Sequence, residues 1–245
     1  MIISDKLRDS FLSAHIVKEL DPMNSTFTYK EHISTKDTGG SCYSVAWNGQ
    51  HLYIGAHTKL IIHNTVTGEE TNRAIPEGNA LQCVRALGNG ELAVLTSPHG
   101  KDKGVRNIRI SPIKSLFKMK ALACLFTQDD NHLTHIAVTD THIAVCNSGK
   151  GNVTIYNANG DELFTVGAGQ LPRPWGVFLL GEEFVLVTEK TNGRLYKYRL
   201  EADAKPVWVC KNLESPTGIC LDAEGNIFVA SNSGARVYMV SPEGK

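Results

Sequence analysis

PTGICLDAEGNIFVASNSGARVYMVSPEG, residues 216–244, decides the architecture. It divides into three short apolar runs separated by turn residues. In the middle run Ile227 and Val229 alternate with Asn226, Phe228 and Ala230, the period of two that marks a β-strand. The turn before it, residues 222–226, ends in Gly225-Asn226, a pair that accepts the positive φ of a tight hairpin. Ser241-Pro242-Glu243-Gly244 closes the third run in the same way.

The same unit recurs upstream. PWGVFLLGEEFVLVTEKTNGRLYKYRL occupies residues 174–200, and LTHIAVTDTHIAVCNSGKGNVTIYNANGD occupies residues 133–161. Looser copies span residues 41–68 and 78–111. With Val45, Val84, Ile136, Val177 and Ile219 as first-strand anchors, the steps are 39, 52, 41 and 42 residues. A period near 40 with several strands per unit predicts propeller blades. One blade cannot bury both of its faces, so blades must stack. The expected fold is therefore an all-β propeller of five, or six, four-stranded blades over residues 26–245. Residues 26–30, TFTYK, are expected to supply a missing outer strand to the last blade.

Two segments fall outside this pattern. Ile3, Leu7, Phe11, Ala14, Val17 and Leu20 recur at helical steps before Asp21-Pro22, so residues 1–22 read as a short N-terminal helix or linker. Oligomerisation is expected only if that helix dimerises. The long step between anchors holds an insertion, residues 101–130, with a short helical stretch at 113–125.

Lys+Arg and Asp+Glu each number 25, so the whole molecule carries no polyanion-binding signature. No apolar stretch is long enough to span a membrane, and the N-terminus has no secretory h-region; a cytoplasmic location and no membrane partner are expected. The six cysteines sit at unrelated spacings without CxxC, which reads as small buried hydrophobes rather than a zinc site or a disulfide framework. There is no GxSxG, P-loop or GxGxxG. His132, His135 and His142 cluster near one inner strand, but the first two point to opposite faces of it.

Residues 216–244 resemble the NHL repeat, through Pro216, Gly218, Ile219, Asp222, Gly225, Asn226, Ile227, Val229, Ala230, Arg236 and Val237. The copy at Pro174 keeps Gly176, Val177, Val185, Val187 and Arg194. The resemblance implies a module that recognises a protein or a single-stranded RNA on one face, as in the C-terminal domain of tripartite-motif ubiquitin ligases; it implies no enzymatic activity. The repeat is also similar to gluconolactonase-type propellers, which implies the alternative of a metal-dependent hydrolase with a divalent cation held partly by Asn and Asp in Pro-Asn-Gly and Pro-Asp-Gly turns. The matching turns are Pro174-Trp175-Gly176 and Pro216-Thr217-Gly218. Trp cannot ligate a hard cation and Thr ligates one poorly, so no metal and no cofactor are expected.

Two candidate sites follow. The partner-binding face comprises Arg173, Trp175, Lys190 and Asn192 of one blade, extended by Tyr43, Arg85, His57, Lys150 and Asn232; Trp and Arg are the usual anchors of interfaces and also stack on bases. The basic insertion offers Lys101, Lys103, Arg106, Arg109, Lys114, Lys118 and Lys120 as phosphate contacts, against a single Asp102.

Overall fold

A computed structural model describes residues 42–56, 58–75, 79–87, 90–98, 107–112, 122–123 and 133–245. These residues form nineteen strands and no helix. The first sheet holds β1 (Cys42–Trp47), β2 (His51–Ala56), β3 (Lys59–Asn64) and β4 (Glu70–Ala74) in sequence order. The second holds β5 (Asn79–Ala86), β6 (Glu91–Pro98), β7 (Asn107–Pro112) and β8 (Leu122–Ala123). The third holds β9 (Leu133–Val138), β10 (His142–Asn147), β11 (Asn152–Asn157) and β12 (Glu162–Val166). The fourth holds β13 (Pro174–Leu180), β14 (Phe184–Glu189), β15 (Arg194–Arg199) and β16 (Pro206–Cys210). The last has three strands, β17 (Pro216–Leu221), β18 (Ile227–Ser231) and β19 (Arg236–Val240).

Every pairing is antiparallel between sequence neighbours, the meander of a propeller blade. The expected five or six four-stranded blades are corrected to four, followed by a three-stranded sheet whose outer strand β19 exposes Val237 and Met239. The helix at 1–22 and the closing strand at 26–30 lie outside the described residues. The helical stretch expected at 113–125 is corrected at Leu122–Ala123, which pair with β7 as a strand. Among the described residues no helix is long and apolar enough to cross a membrane.

The anchors occupy one register position. Val45, Val84, Ile136, Val177 and Ile219 lie on the first strands, opposite Ile54, Val94, Val145, Val187 and Val229 of the second. Alternation then sends each strand to two cores. In β14, Val185 and Val187 join Ala144, Val153 and Ile155 of the preceding blade, whereas Leu186 between them joins Ile219, Ile227 and Val229 of the following sheet. The other two interblade cores repeat this: Leu81, Val84 and Val94 meet Tyr53 and Leu60, while Ala93 and Leu95 meet Ile136 and Val145. Each such aliphatic side chain removed from water contributes about 1.5–3 kcal/mol, which explains why the blades require one another. Cys83 and Cys146 are buried within these cores, and burial pushes the Cys146 thiol far up. The four cysteines whose side chains are described, Cys83, Cys146, Cys210 and Cys220, are free.

Candidate functional site

The meander sorts the connections. Links from second to third strand, and from one blade to the next, emerge at one end of the propeller; we call it the loop end. Links from first to second and from third to fourth strand emerge at the other, the turn end. Lys150, Asn192 and Asn232 lie in second-to-third loops, and Arg173 lies in the link into β13, so these candidates share the loop end with Trp175 and Lys190.

The last residue of the second strand organises each of these loops. Asn147, Glu189 and Ser231 recur at a spacing of 42 residues and are all buried. Asn147 Oδ1 accepts from the backbone N–H of Gly149 (3.0 Å) and Lys150 (2.9 Å). Ser231 Oγ accepts from Gly234 N–H at 2.9 Å. Glu189, with no exposed surface, does the most: Oε1 accepts from Thr191 N–H (2.7 Å) and Arg173 N–H (3.2 Å), and Oε2 accepts from Asn192 N–H at 2.7 Å. A buried carboxylate is costly unless donors surround it, and here three backbone donors do. The loop also closes on itself: Lys190 N–H donates to the Arg173 carbonyl at 3.0 Å. Gly193 is required in this loop, because its φ is +62° and a Cβ there would stand 2.1 Å from the Leu213 carbonyl oxygen.

Both cations of this loop pair therefore converge on one ring. Lys190 Nζ lies 4.2 Å from the Trp175 ring centroid and the Arg173 guanidinium carbon 5.6 Å from it. Cation–π attraction holds them there. Burial, and then the charge of Arg173, lower the Lys190 pKa. Trp175 is only half-buried. Its backbone is clamped from both sides: Thr134 Oγ1 donates to the Trp175 carbonyl at 2.8 Å, and the next residue, Gly176, donates to Thr188 Oγ1 at 2.8 Å, which in turn donates to the Thr217 carbonyl at 2.7 Å. Gly176 must be glycine here, since a Cβ would stand 1.9 Å from the Thr217 carbonyl oxygen.

The charges of the last three sheets divide largely by end. Lys150, Arg173, Lys190 and Lys211 occupy the loop end; the exposed carboxylate there, Glu214, sits 3.8 Å from Arg236. At the turn end Asp140, Asp161, Glu182, Glu183, Asp203 and Glu224 are all exposed, against Arg199, Lys205 and Lys245.

Other candidates lie elsewhere. Arg85 is near the turn end of β5, and its side chain turns to Ser44 and His135 on the neighbouring first strands rather than to Trp175. Tyr43 is on β1, with its side chain outside the described residues, and His57 is outside them altogether. Of the basic insertion, Lys101, Lys103, Arg106, Lys114, Lys118 and Lys120 lie outside the described residues, and Arg109 is on β7 with its side chain undescribed. Because β7 runs through Asn107–Pro112, the two halves of that basic stretch join it at opposite ends. His142, grouped with His135 in the sequence, pairs instead with Glu182 at 2.7 Å on the turn end. Among the described residues no three of His, Cys, Asp and Glu converge as a metal site. The Thr217 hydroxyl, in one of the two turns compared with lactonases, donates to the Ala230 carbonyl at 3.1 Å. Sequence reasoning missed Glu189, Asn147 and Ser231; the signal was present as polar residues 42 apart at the ends of otherwise apolar strands.

No protein-family model matches the chain, and no curated protein matches it in sequence. Solved structures do match in shape. A chain of the nidogen/laminin complex superposes with a TM-score of 0.69 at 10% identity, covering 89% of this chain and 83% of that one. A streptogramin B lyase gives 0.65 at 13% identity, covering 83% and 66%. A luciferin-regenerating enzyme gives 0.62 at 15% identity, covering 84% and 74%. These likenesses establish the β-propeller fold. They also overturn the expectation of a non-enzyme: propellers of this shape include a lyase and a luciferin-regenerating enzyme, so the architecture gives no ground for excluding catalysis.

Proposed function

We propose that this propeller is a recognition module that binds an acidic segment of a protein partner at its loop end, around Trp175. The observation that carries this reading is the pair of cations, Arg173 and Lys190, set over one half-buried indole. Like charges held together at a surface form a ready site for a carboxylate-rich chain, and the neighbouring Lys150 and Lys211 extend the field along which such a chain is steered. The indole supports a protein rather than an RNA partner: with two cations over its ring, it organises charge instead of offering a bare face for base stacking. The NHL-like pattern of residues 216–244 supports grouping the chain with recognition propellers.

The test is fluorescence anisotropy with a labelled Asp/Glu-rich peptide, a neutral peptide of equal length and a single-stranded RNA, each across a salt titration. The acidic peptide is expected to bind with a steep salt dependence and to lose about tenfold or more in affinity in Trp175→Ala, as anchor residues do. Absence of binding at low salt, or binding indifferent to Trp175, overturns the proposal; tighter binding of RNA than of peptide moves it to nucleic acid.

A further inference from the structure

On the inner strands Arg85 and His135 meet. Arg85 Nη1 donates to the Val84 carbonyl (2.8 Å) and to Ser44 Oγ (3.4 Å), which fixes the guanidinium between β1 and β5. Nη2 then faces the His135 imidazole on β9, 3.3 Å from Nδ1 and in close contact with Nε2. From the other side Val177 N–H on β13 donates to His135 Nδ1 at 3.3 Å. Burial, and then Arg85, keep this histidine neutral by lowering its pKa well below the usual value.

A neutral imidazole has one lone-pair nitrogen and one N–H. Here donors approach both nitrogens. If Nδ1 accepts from Val177, Nε2 carries the proton, and an N–H then faces the N–H of a permanently charged guanidinium. Nδ1 lies 3.3 Å from both Arg85 Nη2 and Val177 N, so a single lone pair faces two donors. Among the described residues Arg85 has no carboxylate partner, and both Arg85 and His135 retain solvent exposure. An oxygen anion bound at the exposed side of the pair, with the two side chains parted from their present contact, accepts from Arg85 and from His135 Nε2–H at once, while Val177 holds Nδ1 as the acceptor.

We propose that the Arg85–His135 pair is a binding site for a small oxyanion, the carboxylate, phosphate or sulfate group of a small molecule, bound on the inner strands independently of the loop end. Guanidinium recognises such groups through paired charge-assisted hydrogen bonds.

The experiment is NMR of the histidine ring signals, with His135 assigned by its loss in His135→Gln, titrated with sodium acetate and with sodium sulfate at constant ionic strength set by chloride. A saturable shift confined to His135, with its pKa raised by about one unit or more as the bound anion offsets Arg85, is the expected result. Stronger binding of acetate assigns carboxylate ligands, and stronger binding of sulfate assigns tetrahedral ones. Arg85→Gln is expected to weaken binding at least tenfold, and Arg85→Lys to restore part of it; unchanged backbone amide spectra establish that the variants fold. No saturable shift, or equal affinity in Arg85→Gln, overturns the proposal. Peptide binding at the loop end is read separately, so failure of either site leaves the other standing.

Discussion

The two ends of the last three sheets are built from the same strands yet differ in the sign of most of their charge. In the connections between strands from residue 181 to 226, most charges alternate: Glu182-Glu183, then Lys190, then Glu201 and Asp203, then Lys211, then Asp222 and Glu224, with Lys205 and Glu214 as the exceptions. The antiparallel meander delivers every second connection to the same end, so this alternation becomes a partial separation: mostly bases with Trp175 on one side, mostly acids on the other. A net charge of zero conceals it completely. The ends differ in construction too. Loops at the basic end are tied to buried side chains such as Glu189 and Asn147, whereas a turn at the acidic end closes through its own half-buried side chain, as Asp222 accepts from Glu224 and Asn226.

Breaking this difference should be easiest at its foundation. Glu189→Ala strips the acceptor from three backbone donors and is expected to cost about 3 kcal/mol or more, lowering the thermal midpoint by roughly 6–12 °C and abolishing peptide binding. An unshifted melt would show that the loop end does not depend on its buried carboxylate. Gly193→Ala follows, because a Cβ there collides with the Leu213 carbonyl at a positive φ; a loss of about 1–3 kcal/mol in denaturant unfolding is expected. Neither substitution should alter the Arg85–His135 region beyond the general loss of stability.

Lys190→Met separates binding from stability. Lys190 has a lowered pKa in the folded protein, so its protonation favours the unfolded chain; that penalty is present below the folded pKa and fades as pH rises through it. Removing the charge is expected to weaken the acidic peptide severalfold while leaving the melt at neutral pH unchanged or slightly higher. A lower melt together with intact binding would contradict both halves. The same lowered pKa means that wild-type binding should weaken on raising the pH before an ordinary lysine titrates, which anisotropy across pH 8–10.5 reads directly.

The smallest effect belongs to the acidic end. The Glu182 carboxyl is held below its usual pKa by the Thr141 hydroxyl and then by His142. Its contribution is therefore present above the ordinary carboxylate range and lost as pH falls through the lowered value. Because the pair is largely exposed, Glu182→Gln should move the melt by no more than about 2 °C at neutral pH and leave peptide affinity untouched. A marked loss of peptide binding would mean that the two ends are not independent.

Much of the fold was readable because β-strands announce themselves by alternation. The five anchors fall on one register position, and the alternation of Val185, Leu186 and Val187 corresponds to two different cores. The fourth strands were harder to see. Glu70–Ala74 is exposed along its whole length, so it carries no hydrophobic period at all. At the site, Trp175, Arg173 and Lys190 stood out by residue type and their grouping survives. Arg85 did not join them, because it lies one position beyond its anchor on β5 while Trp175 lies two before its own on β13, and sequence distance along a strand is height along the propeller.

The sequence alone determined the repeat, the strand periods, the anchors and the turn glycines, since each of these expresses a local preference for backbone angle or side-chain burial. Tertiary structure decided which residues meet. That Glu189 gathers Arg173 and Asn192, and that Arg85 of one blade opposes His135 of the next, depends on stacking separate sheets. Contacts between Arg85 and His135, fifty residues apart, leave no period in the chain, because what brings them together is the burial of the valines and leucines between blades.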